Sequence, residues 1–93
     1  MSAELTERQN LLMVLLAEEA CEVGQAASKC YRNGMNRKKT STGQTTAGSL
    51  MEEIADVLVI VDSLVKEDIG ISMVEILRLK KEKAVLRASR NGC

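Results

Sequence analysis

The sequence predicts an all-α fold: an antiparallel helical hairpin followed by a third helix. Three observations lead there. The chain has no proline and one aromatic residue, Tyr31, a composition foreign to β-sandwiches and barrels, which draw on aromatic and β-branched side chains. Apolar residues recur at steps of three and four along three separate segments. Each segment is preceded by a hydroxyl residue with Gln or Glu three positions later: Thr6 and Gln9, Ser49 and Glu52, Ser72 and Glu75. In that pattern the two side chains satisfy the orphan backbone N–H groups of a helix start reciprocally.

Taken in order, the first helix is expected from about Glu7 to Arg32, about 39 Å at 1.5 Å per residue. Gly24 offers a place for a bend, and Asn33-Gly34 a left-handed stop. Residues 34–48, GMNRKKTSTGQTTAG, are basic and then rich in Ser, Thr and Gly. They lack apolar periodicity and read as a flexible loop within one domain spanning residues 1–93. The second helix is expected from about Leu50 to Asp68, ending at Gly70. The third runs from about Met73 to Ser89, with Asn91-Gly92 closing the chain.

Length and charge set further bounds. A chain of 93 residues buries only about 60–65% of the surface its unfolded form exposes, so its core is thin and self-association is expected. Thirteen basic residues balance thirteen acidic ones, so net charge directs the protein neither to nucleic acid nor to an anionic membrane. Cys21, Cys30 and Cys93 are an odd set without CxxC spacing, and no histidine is present to complete a zinc site; they read as reduced thiols. The apolar run LLMVLL is six residues long and follows Glu4 and Glu7, so it is neither a signal peptide nor a membrane span. A soluble, cytoplasmic protein is expected.

Against this background the acidic residues are misplaced. The line Leu12, Leu15, Glu19, Glu22, Ala26 runs down one side of the first helix, so two carboxylates interrupt its apolar stripe. On the second helix Ile54, Val57, Val61, Leu64 and Val65 form the apolar arc, with Glu53 inside it and Asp56 at its edge. An ExxE alone is ordinarily solvated. Two pairs on facing surfaces are different, because burying ionised carboxylates costs several kcal/mol each and gathering them adds repulsion. Hard divalent cations, above all Mg²⁺, neutralise such a set.

The third helix carries the opposite charge, with Met73, Leu77, Lys80, Ala84 and Arg87 following one stripe and Lys83 one turn beyond Lys80. These cations suit either a solvated helix end favoured by the dipole or a clamp for phosphate groups.

EEACE (Glu18 to Glu22) followed by EIAD (Glu53 to Asp56) resembles the ExxE…ExxD signature of the MazG-like all-α nucleoside triphosphate pyrophosphohydrolases. Lys80, Lys83 and Arg87 resemble the basic third helix of that family, so the likeness extends from about Leu15 through Arg87. It implies hydrolysis of a ribo- or deoxynucleoside triphosphate between the α and β phosphorus atoms, giving the monophosphate and pyrophosphate. It further implies that Glu19, Glu22, Glu53 and Asp56 ligate Mg²⁺, with Mn²⁺ as a substitute, and that one carboxylate activates the attacking water. Lys80, Lys83 and Arg87 would hold phosphate oxygens, with Lys29, Arg32 and the loop residues Arg37, Lys38 and Lys39 as weaker candidates. The resemblance also implies homodimers, or tetramers built from dimers, with four-helix bundles around each site, and Met51, Leu58, Val59 and Val74 lie outside the narrow stripes of their helices where an interface would need them. The interval Val23 to Glu52 is longer than is usual for the family, and Tyr31 is the one ring on which a base could stack. Base identity is therefore not implied.

Two other functions fit the same residues. Phosphoribosyl-ATP pyrophosphohydrolases share the helical carboxylate arrangement. A non-enzymatic helical oligomerisation module would use Glu19 or Glu53 in interchain ion pairs with Lys80 or Arg87. Nucleic-acid binding through NRKK has only a small phosphate footprint.

Overall fold

In the computed structural model, residues 4–39 and 41–90 are described. Cys93 and the Asn91-Gly92 stop lie outside them. The described residues form three helices and no strand: α1 (Glu7–Asn33), α2 (Thr46–Lys66) and α3 (Met73–Arg90).

The start of α1 is capped as its sequence requires. The Thr6 hydroxyl accepts the Gln9 N–H at 3.1 Å, and Gln9 Oε1 accepts the Thr6 N–H at 2.9 Å. The helix stops at Gly34, whose positive φ of 81° costs a residue without Cβ nothing, and whose N–H closes onto the Cys30 carbonyl.

The second helix begins four residues earlier than the capping pattern indicates. Thr45, not Ser49, is the cap: its hydroxyl accepts the Gly48 N–H at 3.0 Å. The residue in the reciprocal position is Gly48, which has no side chain, so this start carries no box signature. The Ser49 hydroxyl instead donates to Gln44 Oε1 at 3.1 Å. At the head of α3 the Ser72 hydroxyl accepts the Glu75 N–H at 3.3 Å, while the Glu75 carboxylate turns to Arg78.

α1 and α2 run antiparallel, since Leu12 near one end packs with Ile60 and Leu64 while Gly34 at the other end accepts the Thr46 hydroxyl. The core sits at the end away from the connecting segment. Leu12, Ile60 and Leu64 are its buried centre, flanked by Met13, Leu15 and Leu16 of α1. Ile69 and Ile71 fold under it from the α2–α3 connection, where Asp68 and Gly70 take positive φ. Arg8 and Gln9 both reach Glu67, at 3.0 and 3.4 Å, and tie the open end of the hairpin.

α3 leaves this core. It has no buried residue and is braced along its own surface by Arg78 pairing with Glu75 and Glu82. No helix among the described residues is long and apolar enough to cross a membrane.

The segment before α2 is more ordered than its composition indicates. An antiparallel bridge joins Lys38 and Thr45, and the Lys39 N–H donates to the Gln44 carbonyl at 2.9 Å. Thr46 and Ala47 donate back to the Arg37 and Met35 carbonyls at 2.9 Å. The result is a short hairpin-like turn laid against the first turn of α2.

Candidate metal centre

Glu19 lies midway along α1, and Glu53 and Asp56 lie one turn apart midway along α2. Antiparallel packing brings them face to face. Each offers a carboxylate oxygen, and all three oxygens lie within 4.8 Å of one another. Glu19 and Glu53 are half-buried; Asp56 is exposed.

Glu22, the fourth expected ligand, is exposed and stands outside this triad. Three residues along a helix rotate a side chain by about 60° short of a full turn. With α2 opposite Glu19, that rotation carries Glu22 to the rim. There it shares an adjoining cavity with Glu53. The dry, four-carboxylate pocket expected from the stripes is thus a three-carboxylate cluster open on one side, with the fourth group on the neighbouring wall.

The electrostatics follow from the crowding. Partial burial, then the charges of Asp56, Glu53, Glu22 and Glu18, push the Glu19 carboxyl above the ordinary carboxylate range. No lysine or arginine pairs with Glu19, Glu53 or Asp56 among the described residues; the long-range ion pair there is Arg8 with Glu67.

The donor set suits a hard divalent cation. All three donors are carboxylate oxygens, and Mg²⁺ takes oxygens at about 2.0–2.1 Å, which sets opposite ligands about 4.1 Å apart. A spread of 4.8 Å exceeds that distance by about 0.7 Å. Among the described residues no thiol joins the cluster: Cys30 is buried and Cys21 exposed, both free, and neither stands among the three.

Lys80, Lys83 and Arg87 are brought together on one face of α3, where they flank a groove with Ile76, Leu79 and Ala84. All three cations are exposed, and the groove contains no acidic residue. The described chain therefore assembles its carboxylates on the hairpin and its α3 cations on a separate surface. Of the weaker candidates, Lys29 and Lys39 line the cavity with Glu22 and Glu53, together with Gln25, Ala26, Thr46 and Ser49. Gln25, Thr46 and Ser49 were not expected there. Gln25 comes from α1, one turn beyond Glu22, while the true start of α2 at Thr46 brings Thr46 and Ser49 to the cavity, and the Thr45 cap without a partner acid left no signature of that start.

No family model matches the chain, and no curated protein or solved structure matches it either.

Proposed function

We propose that this protein is a Mg²⁺-dependent nucleoside triphosphate pyrophosphohydrolase, converting ribo- or deoxynucleoside triphosphates to the monophosphate and pyrophosphate. The observation that supports it most is the convergence of Glu19, Glu53 and Asp56, from two helices, within 4.8 Å. Carboxylates gathered this closely without a basic partner repel one another, and a divalent cation relieves that repulsion. Mn²⁺ fits the same oxygen donors.

In this proposal Glu19, Glu53 and Asp56 hold the ion. When bound, a divalent cation polarises phosphoryl oxygens and lowers the pKa of water at the site. Glu22, on the wall beside Glu53, is the remaining carboxylate, placed to join the ligands or to orient the water that attacks phosphorus. Lys80, Lys83 and Arg87 would meet the phosphates from α3 of a second copy, because a homodimer or tetramer would bring that exposed face against a neighbouring hairpin.

The test is a panel of ribo- and deoxynucleoside triphosphates, with phosphoribosyl-ATP included, incubated with Mg²⁺ and scored separately for pyrophosphate and orthophosphate. Release of pyrophosphate that disappears in Glu53→Gln supports the proposal. Activity on phosphoribosyl-ATP alone would move the protein to that related reaction. If Mg²⁺ supports no pyrophosphate release and leaves the melting temperature unchanged, the protein is a helical interaction module instead.

A further inference from the structure

The cavity beside the carboxylates has a volume of about 160 Å³ and lies between α1, the hairpin-like turn and the first turn of α2. It contains two carboxylates, Glu22 and Glu53, and two lysines, Lys29 and Lys39. Equal numbers of opposite charges ordinarily collapse into ion pairs. Here they do not: among the described residues neither lysine lies within ion-pair distance of an acid. The two signs line one space without pairing.

Other hydrogen-bond donors around the cavity are already committed. The first N–H groups of α2 go to Arg37, to Met35 and to Thr45, so the helix start offers no free donor. The Thr46 hydroxyl donates to the Gly34 carbonyl and that of Ser49 to Gln44. What remains for a ligand is the pair of ammonium groups, with the Gln25 amide beside them. A space of this size lies below the about 300–1,000 Å³ of sites that enclose drug-sized ligands. That is room for a phosphate chain and too little for a whole nucleotide.

We propose that this cavity is a cation-dependent polyphosphate subsite, in which Lys29 and Lys39 take phosphoryl oxygens of an anion that also faces the divalent ion held at Glu53. This rests on the metal centre proposed above and adds to it a second set of phosphate contacts, supplied by the same chain as the carboxylates. The charge balance gives the subsite its conditional character. With the carboxylates bare, their charge offsets the lysines and an anion gains little. Counting Glu19 and Asp56, the carboxylates outnumber the two lysines, and a divalent ion held with Glu53 cancels that excess, so an anion meets the lysines without net repulsion. Linkage then requires cation and anion each to raise the affinity for the other by the same factor.

Inorganic pyrophosphate is the probe, titrated calorimetrically into the full chain with and without Mg²⁺, alongside Mn²⁺ binding read by electron paramagnetic resonance without anion. Pyrophosphate should bind tightly only with Mg²⁺ present. Lys29→Ala and Lys39→Ala should each weaken it by about tenfold or more, while Mn²⁺ binding stays undiminished and Lys81→Ala on α3 changes neither. Both positions are exposed, so the variants should keep their helicity; Lys39→Arg should retain most of the affinity. Pyrophosphate affinity that is unchanged in both lysine variants, with Mn²⁺ binding intact, overturns the subsite and leaves the metal centre standing. Equal affinity without Mg²⁺ overturns the linkage on which the subsite depends. A wild-type chain that binds no Mn²⁺ overturns both.

Discussion

At Glu19 two effects push the same way: partial loss of solvent and the facing charges of Asp56 and Glu53 both disfavour its ionised form. The sign of the consequence follows from proton linkage. The folded chain holds this proton more tightly than the unfolded chain, so the group's favourable contribution is present at low pH and is lost as pH rises through the raised pKa. Glu75 behaves oppositely. Its hydrogen bond with Arg78 lowers its pKa, so that small, solvent-screened contribution is present near neutrality and is lost as pH falls through the lowered value. In chelator, Glu19→Gln should therefore melt at higher temperature than the natural chain at neutral pH. The gap should close on acidification, and Mg²⁺ should reverse the order. Equal melting temperatures with chelator at every pH would remove the repulsion from which the metal centre is inferred. Glu53→Gln and Asp56→Asn should each bring the Glu19 carboxyl back toward its ordinary range in a carbon-13 titration, Asp56→Asn the more.

Among the elements, the α1–α2 hairpin carries the stability and α3 carries almost none of it. Leu64 retains 2% of its exposure and is the most enclosed side chain of the core. Leu64→Ala should cost about 2–5 kcal/mol, measured by denaturant unfolding, a large share of what so small a core supplies. Thr45→Ala removes the cap that sets where α2 begins and should cost about 1 kcal/mol, whereas Ser49→Ala should cost less. The comparison of those two variants tests the helix start directly, since a cap at Ser49 would reverse their order.

The whole chain exposes 7479 Å², about 2,200 Å² more than the about 5,300 Å² expected for a compact monomer of its mass. Its radius of gyration of 16.7 Å likewise exceeds the about 12 Å of a compact domain of this length. Large apolar side chains contribute to this exposed surface. Met51, Leu58 and Val59 on α2 and Val74 on α3 are all more than half exposed, and an open apolar groove runs between Ala20, Val23, Ile54, Val57 and Leu58. Stable protein interfaces bury about 600–1,000 Å² per partner, an area this surplus covers. Light scattering should accordingly return a multiple of 10.2 kDa, and Leu58→Glu should shift it toward that mass while the hairpin stays helical. A natural chain that scatters as a monomer at micromolar concentration would leave α3 without the neighbour that its proposed phosphate role needs.

Sequence alone determined the three helices, the Thr6 cap, the stop at Gly34 and the three-residue spacing of each carboxylate pair, because all of these depend on partners within one helical turn. It placed Glu19, Glu22 and Glu53 on inward faces and Asp56 at the edge of one for the same reason. Tertiary structure decided the rest. Glu22 fell outside the triad because the register and rotation of α2 against α1 set which turn faces which. The turn before α2 took its order from carbonyls at Met35 and Arg37, about ten positions from their donors, where composition showed only polar residues. The separation of Lys80, Lys83 and Arg87 from the acids was equally hidden, since a helix's periodicity specifies which side is apolar and carries no information about which surface, or which chain, will meet it.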